Sequence, residues 1–448
     1  MYTLPSKLKL FAIIFMVIGA IGIASGFLST PKTIEDVKEM MESHDSPNGS
    51  DEATQNGHEV ANDSHVENNE EAHDGDAHYE HVMHQMQNRP WSALYVASFF
   101  FFIIVLGVLA FYAIQYAAQA GWSPVLFRVM EGITAYLPVA SVIIIALILA
   151  SFFDLNHIFH WMDPELVDPE SEHFDKLIAG KSGWLNKPFF LIRALIYLIG
   201  WNLYRYLSRR NSLRDDTAED NRWFKKNFKM SAGFLVFYIV TESMMSWDWI
   251  MSFDPHWFST LFGWYVFAGM MVCGITVIAL VTIVMKSQGY LEFVNDSHIH
   301  DLAKYMFGFS IFWAYLWFSQ FMLIWYANIP EEVTYFVTRL EDYKLPFLGM
   351  FAMNFIFPIL LLMSSDYKRV NWFVVLTGII ILLGHYVDIF VMVMPATVGT
   401  SWFIGIPEIG ALLFFFGLFV YVIFSAMTKA PLLVKHNPFI KESKQYHY

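Results

Sequence analysis

Ten stretches of this chain are long and apolar enough to dictate the solvent it folds in. They cover residues 8–28, 92–114, 134–153, 187–206, 231–251, 261–285, 303–326, 346–363, 372–394 and 407–427. A helix needs about 20 mostly apolar residues to cross a bilayer, and a lone segment in lipid satisfies its own backbone N–H and C=O groups only as a helix. The pattern therefore predicts an all-α integral membrane protein with ten transmembrane helices. Composition agrees, with 56% of the 448 residues hydrophobic and only 15% charged. The first run follows Lys7 and Lys9 and could be taken for a signal peptide. No small-x-small cleavage site follows it, so it is read as a helix.

Lysine and arginine fall unequally on the two sides of these spans. With the N-terminus inside, inner segments hold 19 of the 28, among them the eight from Arg205 to Lys229, whereas outer segments hold eight and Arg193 lies within the fourth span. That excess predicts cytoplasmic termini. The basic residues are scattered over membrane flanks, so no nucleic-acid partner is expected. The inner loop 207–230 reads as a solvated basic surface beside anionic lipid heads.

Much of the net charge of −13 sits in residues 29–91, an acidic outer loop that also carries seven of the 16 histidines. His78, His81 and His84 have a spacing that could capture a metal on one helical face. The simpler expectation is a partly flexible insert outside the membrane, with no metal site. Cys273 is the only cysteine, which excludes disulfides, cysteine-ligated clusters and covalently attached haem within the chain. His385 is the only histidine well inside a span, so a buried haem with two axial histidines is not expected, and no covalently bound cofactor is.

Ionisable residues within spans are costly and mark candidate sites. Glu242 falls roughly 17 Å from the inner start of the fifth span at about 1.5 Å of rise per residue. His385 and Asp388, three residues apart, share one face of the ninth span. Arg193 lies roughly 9 Å below the outer start of the fourth. These four are expected at overlapping depths, as a proton-conducting chain in which Arg193 tunes the carboxylates, or as an ion-paired network that only fixes helix packing. Asp248 is placed near the outer interface. It joins Asp154, Asp254, His157, His160 and His256 as a possible exit or quinone-facing ring. For the inner entry, Glu131, Tyr305 and Asp366 remain equal candidates. The aromatic run FWAYLWFSQFMLIWYANIP at 312–330 could line a flat ring or only pack against neighbours and lipid.

Three stretches carry a family resemblance: SWDWIMSFDPHWFSTLFGWY, FSQFMLIWYANIPEE and GHYVDIFVMVMP. Together they resemble the polysulfide-reductase NrfD-like membrane subunits of bacterial alternative complex III, a quinol:electron-acceptor oxidoreductase, over nearly all the chain from Trp91. The resemblance implies two four-helix bundles, spans 2–5 (92–252) and 6–9 (253–394), flanked by spans 1 and 10. It implies a bacterial cytoplasmic-membrane location, bound lipids, and menaquinone or another quinone as ligand. It also implies a paralogous NrfD-like subunit, an iron–sulfur protein and a multihaem cytochrome c as partners. Two paralogues occur in such complexes, and the one associated with quinol oxidation carries GHAGT-like and HxGRP-like stretches. This chain has neither, reading FFDLNHIFHWMDPE at the corresponding helix end, and so looks like the second paralogue. A structural subunit with no quinone or proton chemistry of its own is the alternative.

Overall fold

A computed structural model describes residues 2–38 and 70–447, the side chains of 70–78, 80 and 81 excepted. The described residues form helices, turns and coil, with no strand among them. Ten long helical segments follow the ten apolar runs. They are α1 (Ser6–Leu28), α2 (Glu70–Ala117), α3 (Pro124–Phe152), α4 (Lys187–Asp215), α5 (Arg222–Trp249), α6 (Phe262–Ser287), α7 (Asp296–Ala327), α8 (Lys344–Leu362), α9 (Asn371–Val398) and α10 (Ile406–Met427). All but α4 and α5 are long and apolar enough to cross a membrane.

Local chemistry sets several of the boundaries. Asn186 accepts the Phe189 N–H at the start of α4, with Pro188 in the first turn, where a missing N–H costs nothing. Asn295 caps α7 in a reciprocal pair with His298. Asn328, at φ 50°, ends that helix in the left-handed region that asparagine tolerates. The chain then enters a helix, Pro330–Glu341, that sequence reading left as loop. Within α8 the segment Ala352–Ile356 is a π-turn, and such turns recur at functional positions.

Two expected loops are largely helix. α2 begins at Glu70, well before the apolar run, so the predicted loop 29–91 is helical in its last third, while residues 39–69 lie outside the described residues. α4 and α5 likewise run on to Asp215 and back from Arg222, leaving a short connection in place of the expected loop 207–230. The reason is polar packing: Ser208, Asn211, Ser212, Asp215 and Asn227 are buried there, with Asn211 Nδ2 donating to Asn227 Oδ1 at 3.0 Å.

Contacts link α2 to α3, α3 to α4, α4 to α5 and α5 back to α2; they also link α6 to α7, α7 to α8, α8 to α9 and α9 back to α6. α2 and α5 both pack on α6, and α2 also meets α9 and α10. α1 lies along α10 through small residues. A Cβ on Gly22 would come within 2.9 Å of Gly410 Cα, and one on Gly417 within 2.6 Å of the Ala12 carbonyl oxygen. Lipid tails are as apolar as leucine, so close backbone approach rather than water exclusion holds such a pair together.

Candidate functional site

Asp388, on α9, is 2% exposed and is approached by three other side chains. The Tyr265 hydroxyl from α6 donates to its Oδ1. The Trp313 indole from α7 donates to Oδ2 at 3.1 Å, and His385 Nδ1, one turn earlier on α9, lies 3.3 Å from the same oxygen. Trp313 also meets the His385 ring edge-on at 5.3 Å. Gly269 of α6 packs beside the pair, where a Cβ would sit 3.4 Å from His385 Nδ1. Three helices thus converge on one carboxylate. His385 Nε2 is buried with no partner, so the cluster ends on an unused nitrogen.

Two small cavities adjoin this group. One is lined by His385, Asp388, Tyr265 and Gly269 with apolar residues of α2, α6 and α9 and Ile250 just past α5; the other by Asp388, Tyr265, Gln320, Tyr335 and Arg339. Each offers about 10 Å³ to the centre of a water-sized sphere, close to the minimum that admits one water.

The remaining predicted residues are not all brought to this point. Arg193, expected to tune Glu242 or the His385/Asp388 pair, instead donates Nε and Nη2 to Asp248 Oδ2 and Oδ1 at 2.8 and 2.9 Å. Asp248 is therefore not the lightly buried interfacial residue that its place near the helix end suggested. It is fully buried, and also accepts from Trp184 Nε1 at 2.8 Å and the Tyr197 hydroxyl at 3.0 Å. Arg193 is further held over the Trp184 and Phe189 rings. A carboxylate saturated in this way is a clamp between α4 and α5.

Glu242 is 1% exposed. Its Oε2 accepts one long bond of 3.4 Å from Ser243, and Oε1 has no partner. Such a group is expensive to bury and adds little to packing.

The expected outer ring is dispersed. His256 Nε2 pairs with Asp175 Oδ2 at 2.6 Å, and Asp154 with Lys187 at 2.7 Å. The His157 backbone exchanges two hydrogen bonds with the Asn88 side chain while its ring meets His84 at 5.7 Å. His160 is exposed and Asp254 half-buried. Burial works to raise the Asp175 carboxyl, but hydrogen bonds from Ile178, His256 and Leu177 hold it below the usual range. The side chains of His78 and His81 lie outside the described residues; among those described, no group of His, Cys, Asp and Glu is arranged to hold a metal.

At the opposite end, Glu131 is not an open entry. Arg128 and Arg209 donate to it at 2.8 and 2.5 Å and the Tyr112 hydroxyl at 3.1 Å, while Arg128 also reaches Asp216. Tyr305 and Asp366 are exposed. Sequence reading missed Asp301, which takes bonds from Lys304 at 3.0 Å and from the Tyr446 hydroxyl of the C-terminal tail at 2.5 Å.

Two larger spaces are apolar. A cleft of about 850 Å³ between α1, α10, α2, α6 and α9 is lined by aliphatic and aromatic residues, with Lys7 and Gln288 among the few polar ones. A pocket of about 420 Å³ beside the α4–α5 clamp is walled by Trp184, Trp247, Trp257 and Phe258. The indole N–H groups of Trp247 and Trp257 are unpartnered and could meet a ring carbonyl, but no carboxylate or histidine lines this pocket.

No protein-family model matches this chain, and no curated protein matches it.

Proposed function

We propose that this chain is the proton-handling membrane subunit of a respiratory quinol:electron-acceptor oxidoreductase of the alternative complex III type, lying in the bacterial cytoplasmic membrane. The observation that carries the proton part is the four-residue cluster around Asp388: a buried carboxylate, a histidine with one unused nitrogen and water-sized space on two sides. Ion-paired clamps need no such vacancy. Glu242 is the second carrier on this reading, because a carboxyl with one long hydrogen bond contributes little structure for its burial cost. Arg193 and Asp248 are assigned to packing, and Asp254, His157, His160 and His256 to the outer surface where protons leave. The ten helices cross the membrane as two four-helix groups flanked by α1 and α10, with both termini in the cytoplasm, a reading supported by the closed rings of contacts and the bias of Lys and Arg.

Electrons would pass through an iron–sulfur protein and a multihaem cytochrome c, since the chain has no cysteine set for such centres. Quinone would be held by the tryptophan-walled pocket, while quinol would be oxidised, on the resemblance, by the paralogous subunit. Mild-detergent purification of the tagged chain tests this. The expected material shows a c-type haem spectrum and iron in fixed ratio to the chain. Isolation as a lone oligomer that moves a solute in vesicles would replace it with a stand-alone transporter.

A further inference from the structure

Arg339 stands out once the ion pairs are accounted for. It lies on the outer helix Pro330–Glu341, is 2% exposed, and has no ion pair among the described residues. Its Nη1 donates to the Tyr335 carbonyl at 2.8 Å, and its guanidinium sits 3.3 Å from the centre of the Tyr335 ring. Tyr335 in turn stacks on Trp257 at 3.8 Å, with the planes 11° apart. This stack fixes the guanidinium in place but does not neutralise it, and an unpaired buried cation is strongly disfavoured.

The compensating charge is across a cavity. Arg339 and Asp388 line the same space of about 10 Å³, together with Gln320 of α7 and Tyr265 of α6. Two polar atoms of that lining are buried with no partner: Arg339 Nε, a donor, and Gln320 Oε1, an acceptor. A buried water needs two to four polar partners, and a water-separated pair keeps much of its attraction where bulk solvent is excluded. The other anions nearby are poorer partners. Asp342 is exposed and Asp254 half-buried, and neither lines the cavity.

We propose that Arg339 is the counter-charge of Asp388, joined to it through one ordered water that accepts from Arg339 Nε and donates to Gln320 Oε1 and the Asp388 carboxylate. Arg339 is thereby a positioning residue. It holds the water on the outer side of Asp388 and draws the carboxylate toward the surface helix, away from His385. This rests on the reading of Asp388 as a proton carrier for its consequence, but not for its geometry.

The test uses the intact complex. A high-resolution density map of the wild type should show a water within hydrogen-bond distance of both residues. In infrared spectra, the Asp388 carboxyl band, found as the band lost in Asp388→Asn, should shift in frequency in Arg339→Gln and return toward the wild-type position in Arg339→Lys. A dry cavity in the map, or a band at the wild-type position in Arg339→Gln, would overturn the pairing. Neither readout depends on turnover. If the water and the band shift are found while Asp388→Asn leaves the proton-to-electron ratio unchanged, the pair stands and the proton reading fails.

Discussion

Arg193 and Asp248 face each other from α4 and α5 through two parallel N–H···O bonds of 2.8 and 2.9 Å. The planar guanidinium matches the carboxylate fork, and lysine could not reproduce that geometry. Because both are buried, removing one leaves the other charge without its partner. Asp248→Leu alone should destabilise the protein by about 3–5 kcal/mol, while Arg193→Met with Asp248→Leu should recover much of that loss. Thermal unfolding in detergent of both variants checks it. Equal losses in the single and double variants would show that the pair is not a clamp.

Glu242→Gln is expected to behave in the opposite way. Replacing a carboxyl that has one 3.4 Å hydrogen bond by a neutral amide should leave the unfolding temperature unchanged or raised. It should also lower the proton-to-electron ratio of the reconstituted complex. An unchanged ratio in an intact complex would assign Glu242 to packing.

The small-residue contact between α1 and α10 makes a third prediction. Gly22→Leu drives a side chain into Gly410, whose Cα lies 2.9 Å from where a Cβ would be. Overpacking at a contact this close costs about 1–3 kcal/mol or separates the helices. Limited proteolysis should then cleave ahead of α1 faster than in the wild type, whereas a leucine placed at the exposed Ile21 should have no effect.

At the C-terminal end of α4, burial, opposed by a backbone hydrogen bond from Phe224 and aided by the neighbouring Asp216, pushes the Asp215 carboxyl up to about 6. Its unfolded value is lower, so between about pH 4 and 6 the folded state binds the extra proton. Stability through this group is therefore greatest below pH 4 and declines as pH rises to 6. Asp215→Asn should remove that decline and stabilise the protein at pH 7. Unfolding midpoints measured across pH 4–8 read the difference directly.

Several of these features were legible in the sequence. Apolar run length located ten long helical segments, eight of them apolar enough to cross a membrane. Spacing put His385 and Asp388 on one face, and a place in the middle of an apolar run singled out Glu242. The partners were not legible. Tyr265 and Trp313 come from different helices, and among so many aromatic residues neither is distinguishable from a packing residue. Asp248 looked interfacial because helix position alone was counted, and Trp184, which covers it, lies 64 residues away. Arg339 was invisible for a related reason: it sits in a segment taken for loop. Pro330 at a helix-start position, followed by Glu331, Glu332 and VTYFVTRL, was the available signal.

On the proposed function, Asp388 binds and releases a proton during turnover. Redox-difference infrared spectroscopy of the intact complex reads it most directly. The expected result is a carboxyl C=O difference band that shifts in D₂O and disappears in Asp388→Asn, with electron transfer retained. An identical difference spectrum in the variant and the wild type would contradict it.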